Sequence, residues 1–399
     1  MELRKAYEEA LRLADTEEKT EDNEADSELI RAFKELYQDF YKRIDIKFWE
    51  ELFNRDEFVS LDTSEDAGNE LLKFLMTNIY LPKKVWKYIV DMLDIAERKK
   101  ELVEIFPEDF IDYILNNSEF DDMISYELFD GDESQFDEYI ENYYRLDVAI
   151  RKRDFDAQAT YIDKLESLDV YHPYLSLSKI RREIQLMNAE LEIKNAKEKE
   201  NYTLAGTYGD RLLELEEEAK QIKDEFPEDL FAINTCGDIK MLEEHFEEAK
   251  EYYDRAGELA PNNYIVKGKQ AEILYYLKEY EKSRDMYMEL LKLNHFDNNV
   301  RAGMIRANQG LIETLGKKLE EEPDNNKLKL EISWSLYQSY RFGEALELLT
   351  SFEPDEGQEC EYFNLKGRTF LCVEEYEKAL EEKKSIENLM KKVNLEKKE

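Results

Sequence analysis

The residue types that do chemistry are present but scattered. His172, His245 and His295 lie far apart, and no HxxxH spacing places two of them one helical turn apart around a metal. His245 and His295 fall at expected turns or helix ends, and all three read as surface or capping residues. Cys236, Cys360 and Cys372 form no CxxC pair. That spacing gives neither a zinc site nor a disulfide framework and fits a reducing compartment. Their apolar helical settings mark them as inert core thiols. Ala205-Gly206-Thr207-Tyr208-Gly209 is the nearest approach to a phosphate-cradling loop, yet it has neither the GxxxxGK[ST] nor the GxGxxG spacing. Asp130-Gly131-Asp132-Glu133-Ser134 lacks the ligand order of a calcium loop and reads as a turn. No GxSxG nucleophile motif occurs. With 95 Asp and Glu residues, any two carboxylates can be posed as an acid and base, so such a pair identifies nothing. The sequence therefore points to no catalytic residue, no metal site and no cofactor, and to a protein that is not an enzyme.

The charge balance narrows the partners. The chain of 399 residues carries 56 Lys and Arg against 95 Asp and Glu, a net charge of −39. Nucleic acid needs a cationic footprint and is excluded as a partner. No apolar run reaches the ~18 residues of a membrane span, and no basic-then-apolar leader opens the chain, so we expect a soluble cytoplasmic protein without a membrane partner. Apolar residues make up 42%, including 26 Tyr and 20 Phe, enough to bury a core, while 13 Gly and 7 Pro argue against a turn-rich β fold. What remains is recognition of a protein or peptide, with basic partners favoured by the charge.

Helical periodicity dominates the chain. Residues 1–14 form a short amphipathic pattern with Leu3, Tyr7 and Leu11 on one stripe. Residues 15–27 carry seven acids and no large apolar residue, which makes an acidic linker. Residues 28–134 are a helical unit dense in aromatics, including Trp49 and Trp86, punctuated by Pro82 and Pro107. Residues 135–229 read as degenerate helical pairs, and 230–393 as a repeat array.

The repeat is carried by fixed offsets. Pro227 and Pro261 lie 34 residues apart. Gly237, Ala271, Ser333 and Gly367 share one position; Phe246, Tyr280, Phe342 and Tyr376 follow nine residues later, and Ala249, Ser283, Ala345 and Ala379 twelve later. Small residues let paired helices approach, and aromatics fill the wedge to the next pair. This 34-residue pattern resembles the tetratricopeptide (TPR) repeat, with units starting at Leu230, Tyr264, Asn326 and Cys360 and a shortened, degenerate pair near 299–322. The expected fold class is all-α: a TPR-like helical-repeat solenoid preceded by the aromatic-rich unit.

In such an array the first helix of each pair, helix A, lines a concave groove. The register places Phe231, Asn234, Asp238 and Met241 there in the first unit and Ile265, Lys269, Glu272 and Tyr275 in the second. The third offers Lys327, Leu330, Trp334 and Tyr337, and the fourth Glu361, Asn364, Arg368 and Leu371. Some TPR proteins hold a chaperone's C-terminal carboxylate with a clamp of Lys, Asn and Arg. Here Asn234, Asp238, Lys269 and Glu331 depart from that set and only Lys327 matches it, so the clamp is not assembled.

Leu3-Arg4-Lys5-Ala6-Tyr7-Glu8-Glu9-Ala10-Leu11 resembles the last helix of a bacterial J-domain. The order of helix, acidic linker, aromatic helices and repeats is similar to the region that follows the J-domain in bacterial J-domain-type co-chaperones. The His-Pro-Asp loop that engages a DnaK-type chaperone does not occur in this sequence. Two readings stay open: a piece of a longer co-chaperone, or a likeness of helix composition. For function, the resemblance implies a client- or partner-binding scaffold. A peptide-sensing TPR regulator and an enzyme with a site hidden among the repeats are the alternatives. Residues 1–27 cannot supply a core of their own and are expected to be poorly ordered, or to dock on the aromatic helices or on a neighbour.

Overall fold

The computed structural model describes residues 27–396; the expectations for residues 1–26 lie outside them. The described chain is 77% helical, in 21 helices. It divides into two compact units, one running to Leu186 and the other starting at Met187.

The first unit opens with α1 (Glu28–Gln38), α2 (Phe40–Arg43), α3 (Ile46–Phe53), α4 (Asp56–Val59), α5 (Ser64–Leu75), α6 (Lys83–Met92), α7 (Ile95–Leu102) and α8 (Glu108–Glu119). Short polar side chains start several of them. Ser27, Asp39 and Asp45 accept backbone N–H groups at the first turns of α1, α2 and α3. Pro82 and Pro107 stand immediately before α6 and α8, where a missing N–H costs nothing. The aromatics are core: Trp49 and Trp86 are fully buried with Phe33, Leu71, Leu75 and Ile111 in one cluster.

This core continues into α9 (Phe136–Lys152), α10 (Phe155–Glu166) and the start of α11 (Pro173–Glu198). Phe40 packs edge-on to Phe136 at 4.6 Å and to Phe129 at 5.3 Å. Arg43 is buried between the rings of Tyr37 and Phe40, 4.4 and 4.8 Å from their centroids, and pairs with Asp137 at the start of α9. The acidic stretch expected to be a turn is more: Asp130–Gly131 (β1) pairs antiparallel with Val170–Tyr171 (β2). Gly131 has φ +117°, and a Cβ there would overlap the Asp169 carbonyl, so only glycine fits. One residue beyond β2, His172 is 2% exposed rather than at the surface. Its Nε2–H donates to the Ser125 carbonyl at 2.9 Å and its Nδ1 accepts from the Tyr174 N–H at 3.2 Å. Phe129, Tyr139, Tyr143 and Tyr174 surround the ring.

The second unit holds the end of α11, then α12 (Leu204–Glu225) and the array: α13 (Leu230–Leu242), α14 (Phe246–Leu259), α15 (Tyr264–Tyr276), α16 (Tyr280–Leu293), α17 (Asn298–Glu321), α18 (Asn326–Gln338), α19 (Phe342–Thr350), α20 (Glu359–Cys372) and α21 (Tyr376–Glu396). Asp229, Asn263, Asp297 and Asn325 cap α13, α15, α17 and α18. The small repeat positions are small for a visible reason. A Cβ on Gly237 would stand 2.6 Å from the Tyr253 ring, and the Ser283 hydroxyl donates to the Ala271 carbonyl at 2.7 Å.

The degenerate pair near 299–322 is instead the single helix α17. Gly310 does not break it. That glycine admits the Tyr280 ring, which a Cβ would meet at 2.6 Å. The second half of α17 then packs through Leu311, Leu315 and Leu319 against Ile332 and Leu336 of α18 and Ala345 of α19.

Each helix pair turns by the same device. Glu244, Lys278, Tyr340 and Glu374 have φ between +62° and +64°, and the N–H of each following residue bonds the carbonyl five positions before it. Arg153, φ +54°, makes the same turn between α9 and α10, a repeat-type corner in the first unit. Side chains with a Cβ are strained there. Replacing Lys278 by Gly is expected to stabilise the protein by about 0.5–1 kcal/mol, read as a higher melting temperature, whereas Lys278→Pro destabilises it.

Candidate functional site

The A-helix face is built by α13, α15, α17, α18 and α20. In its first stretch the structure brings predicted residues together in pairs. Lys269 on α15 bonds Asp238 on α13, which also accepts the Tyr253 hydroxyl at 2.7 Å, and the Lys269 ammonium lies 5.4 Å from the Tyr253 ring. Burial, then the Asp238 charge, holds that phenol well above its ordinary range. One repeat on, Glu272 stands 3.8 Å from Arg306 of α17, whose guanidinium lies 5.6 Å from the Tyr275 ring. Arg306 escaped the sequence reading because its repeat was taken as degenerate; its place eight residues after Asn298, as Glu272 is eight after Tyr264, is the signal that finds it. These cations are matched by carboxylates and offer no empty carboxylate clamp.

The other predictions divide. Phe231 and Asn234 are half-buried, Ile265 is open to solvent, and Met241 packs under Tyr253 and Ile273. On α18, Lys327 is exposed, but Leu330 is not a groove residue. It is 3% exposed, enclosed by Leu349, Phe352, Tyr362 and Leu365, because the next pair and the residues before it close over this position. Trp334 and Tyr337 meet edge-to-face at 5.9 Å and stay half-exposed. Arg368 and Cys372 of α20 reach the Tyr337 hydroxyl. Burial first, then Cys372, raises its pKa, while Arg368 opposes them. Glu361, Asn364 and Leu371 are exposed on the same helix. The cysteines are corrected here. Cys236 is buried, with its thiol pushed up to about 12 by burial, whereas Cys360 and Cys372 are exposed because both ends of α20 face solvent.

Sequence reasoning also missed a buried ionic cluster beside α13. Lys240 lies 2.8 Å from Glu216 of α12 and 2.9 Å from Glu243, each 5–6% exposed, and 3.2 Å from Glu248 of α14. Burial works against the Lys240 ammonium, yet bonds to these three carboxylates outweigh it and raise its pKa. The glycine-containing stretch Ala205–Arg211 lines a hollow of about 420 Å³, where Arg211 is held by Glu214 and Glu218. Among the described residues no group of three or more His, Cys, Asp or Glu is placed to hold a metal, and no helix is long and apolar enough to cross a membrane.

Stacked helix pairs with small and aromatic residues at fixed repeat positions make this an all-α, TPR-like helical-repeat fold. Residues 27–120 match the family model of the DjlB/C second domain, so the chain resembles DjlB/C over this region. No curated protein matches the chain. Among solved structures, a tetratricopeptide repeat protein from Parabacteroides merdae is 12% identical, with 63% of this chain and 93% of that one covered and a TM-score of 0.28. The P58(IPK) TPR domain is 12% identical over 88% and 93%, TM-score 0.26. YrrB, described as a TPR protein with an unusual peptide-binding site, is 17% identical over 41% and 88%, TM-score 0.23.

Proposed function

We propose that the chain is the client- or partner-binding part of a J-domain-type co-chaperone, a non-catalytic cytoplasmic scaffold whose A-helix face holds a protein or peptide, basic ones above all. The match of residues 27–120 to the DjlB/C second domain, followed by helix pairs, carries this reading. Trp334, Tyr337, Tyr275 and Arg368 are its anchors, since aromatics and Arg dominate binding hot spots. The net charge of −39 supports a basic partner and binding that weakens with salt. The buried titratable cluster at Lys240 pairs its charges between helices.

For a partner captured by pull-down, Trp334→Ala with Arg368→Ala is expected to weaken binding at least ~10-fold while the helical signal stays unchanged. Unchanged affinity in the folded variant would remove the groove as the site. Because no His-Pro-Asp occurs in the chain, it should leave the ATP turnover of a DnaK-type chaperone unchanged. Clear stimulation overturns the co-chaperone reading as framed.

A further inference from the structure

The first helix pair of the array shows how its successor is held. Met241 and Phe246 pack with Ala249 and Tyr253 around Ile273 and Leu277, and the Phe246 ring stacks on Tyr276 with centroids 4.9 Å apart. The same repeat positions in α20 and α21 are Leu371, Tyr376, Ala379 and Lys383. Here the floor is open: Ala379 is buried, but Leu371 is 54% exposed, Tyr376 64% and Leu380, one turn further on, 52%. The outward side of this pair is therefore apolar at the positions where the first pair seats its successor.

We propose that the open face of α20 and α21 is a socket for a helix of a partner protein. The helix it fits is basic and amphipathic, with aliphatic, aromatic and aliphatic side chains at i, i+3 and i+4. The spacing is that of Ile273, Tyr276 and Leu277, seated on the equivalent residues of the first pair. The sign comes from the rim, because residues 371–384 carry five Glu and three Lys. The segment from Tyr264 to Lys278, which contains the seated side chains, itself carries three Lys and one Glu. Lys383 replaces Tyr253, so the apolar floor is shorter than in the first pair and the complex is weak and exchangeable. Leu371 is also one of the groove positions, whereas Tyr376 and Leu380 lie on α21, outside them.

The test uses the full chain and a fluorescein-labelled peptide with the sequence of residues 264–278, followed by anisotropy. Saturable binding is expected, falling with salt, lost when Ile273, Tyr276 and Leu277 of the peptide are Ala, and weakened at least ~10-fold by Tyr376→Ala with Leu380→Ala in the protein. Both protein positions are more than half exposed, so the variant folds. Leu61→Ala, at a fully exposed aliphatic residue of the first unit, should leave peptide binding unchanged, which ties the loss to this face. No binding, or binding indifferent to Tyr376 and Leu380, overturns the proposal. Sedimentation velocity adds one more outcome. A dimer of the chain that Tyr376→Ala abolishes would make a second copy the occupant and overturn the partner-helix assignment.

Discussion

Replacing Lys240 by Met should lower the stability of the second unit by about 3–5 kcal/mol at pH 7, a larger effect than removing most single core methyl groups. Methionine fills the space of the lysine stem, so packing is nearly preserved. What is lost is the cation that faces Glu216 and Glu243, both almost fully buried. Lys220, at 2.6 Å from Glu216, remains, but it is only partly buried and touches only one of the two. In the native protein burial raises the Glu216 pKa, but its bonds to Lys220 and Lys240 outweigh burial and lower it; without Lys240 burial opposes an ionised carboxylate there. Such a group costs most when ionised, so the deficit is full at neutral pH and shrinks as pH falls toward the carboxylate range. Urea denaturation of both proteins at pH 7 and pH 5 checks this. A pH-independent difference would mean that packing, not charge, sets the loss.

His172 gives the first unit an acid limit of its own. Burial pulls its pKa down to about 4, against ~6.5 in the unfolded chain, while the Ser125 carbonyl opposes the shift weakly. Both ring nitrogens are in use, Nδ1 as an acceptor, and the rings around it supply no counter-charge. The neutral form belongs to the fold and the charged form to the unfolded chain. Stability is therefore complete above pH ~6.5 and is lost as pH falls toward 4, by up to about 3 kcal/mol. His172→Phe should be less stable at pH 7, because it orphans the Ser125 carbonyl and the Tyr174 N–H, yet show a flatter stability profile between pH 6.5 and 4. An unchanged slope in that variant would acquit His172.

The repeat array was legible because its marks are local. A small residue, an aromatic nine positions on and a second small residue at twelve lie within one helix pair, and α13, α15 and α18 begin where that register puts them. Features that depend on distant partners were not legible. His172 draws its surroundings from Ser125 and Phe129, more than forty residues back, and Lys240 finds Glu216 on the preceding helix. Leu330 shows the limit within the register itself. Its repeat position is a groove position, but Phe352 and Tyr362 close over it, and only the packing of the next pair reveals that. The stretch 299–322, expected as a shortened pair, is one helix, in which Gly303 and Gly310 serve the approach of Tyr287 and Tyr280.

The uninterrupted length of α17 alters how the second unit comes apart. In a regular array each corner is a place where one pair can detach while its neighbours persist, so unfolding proceeds as a frayed front. Here a single rod of 24 residues is gripped by Tyr280 and Tyr287 along its first half and by Ile332, Leu336 and Ala345 along its second. A front arriving from either side meets no corner at which to stop. The pairs before and after α17 are thereby welded into one cooperative block. Amide protons of α15 and of α18 should exchange through the same opening event, with closely similar protection, although about sixty residues of chain separate the two helices' first turns.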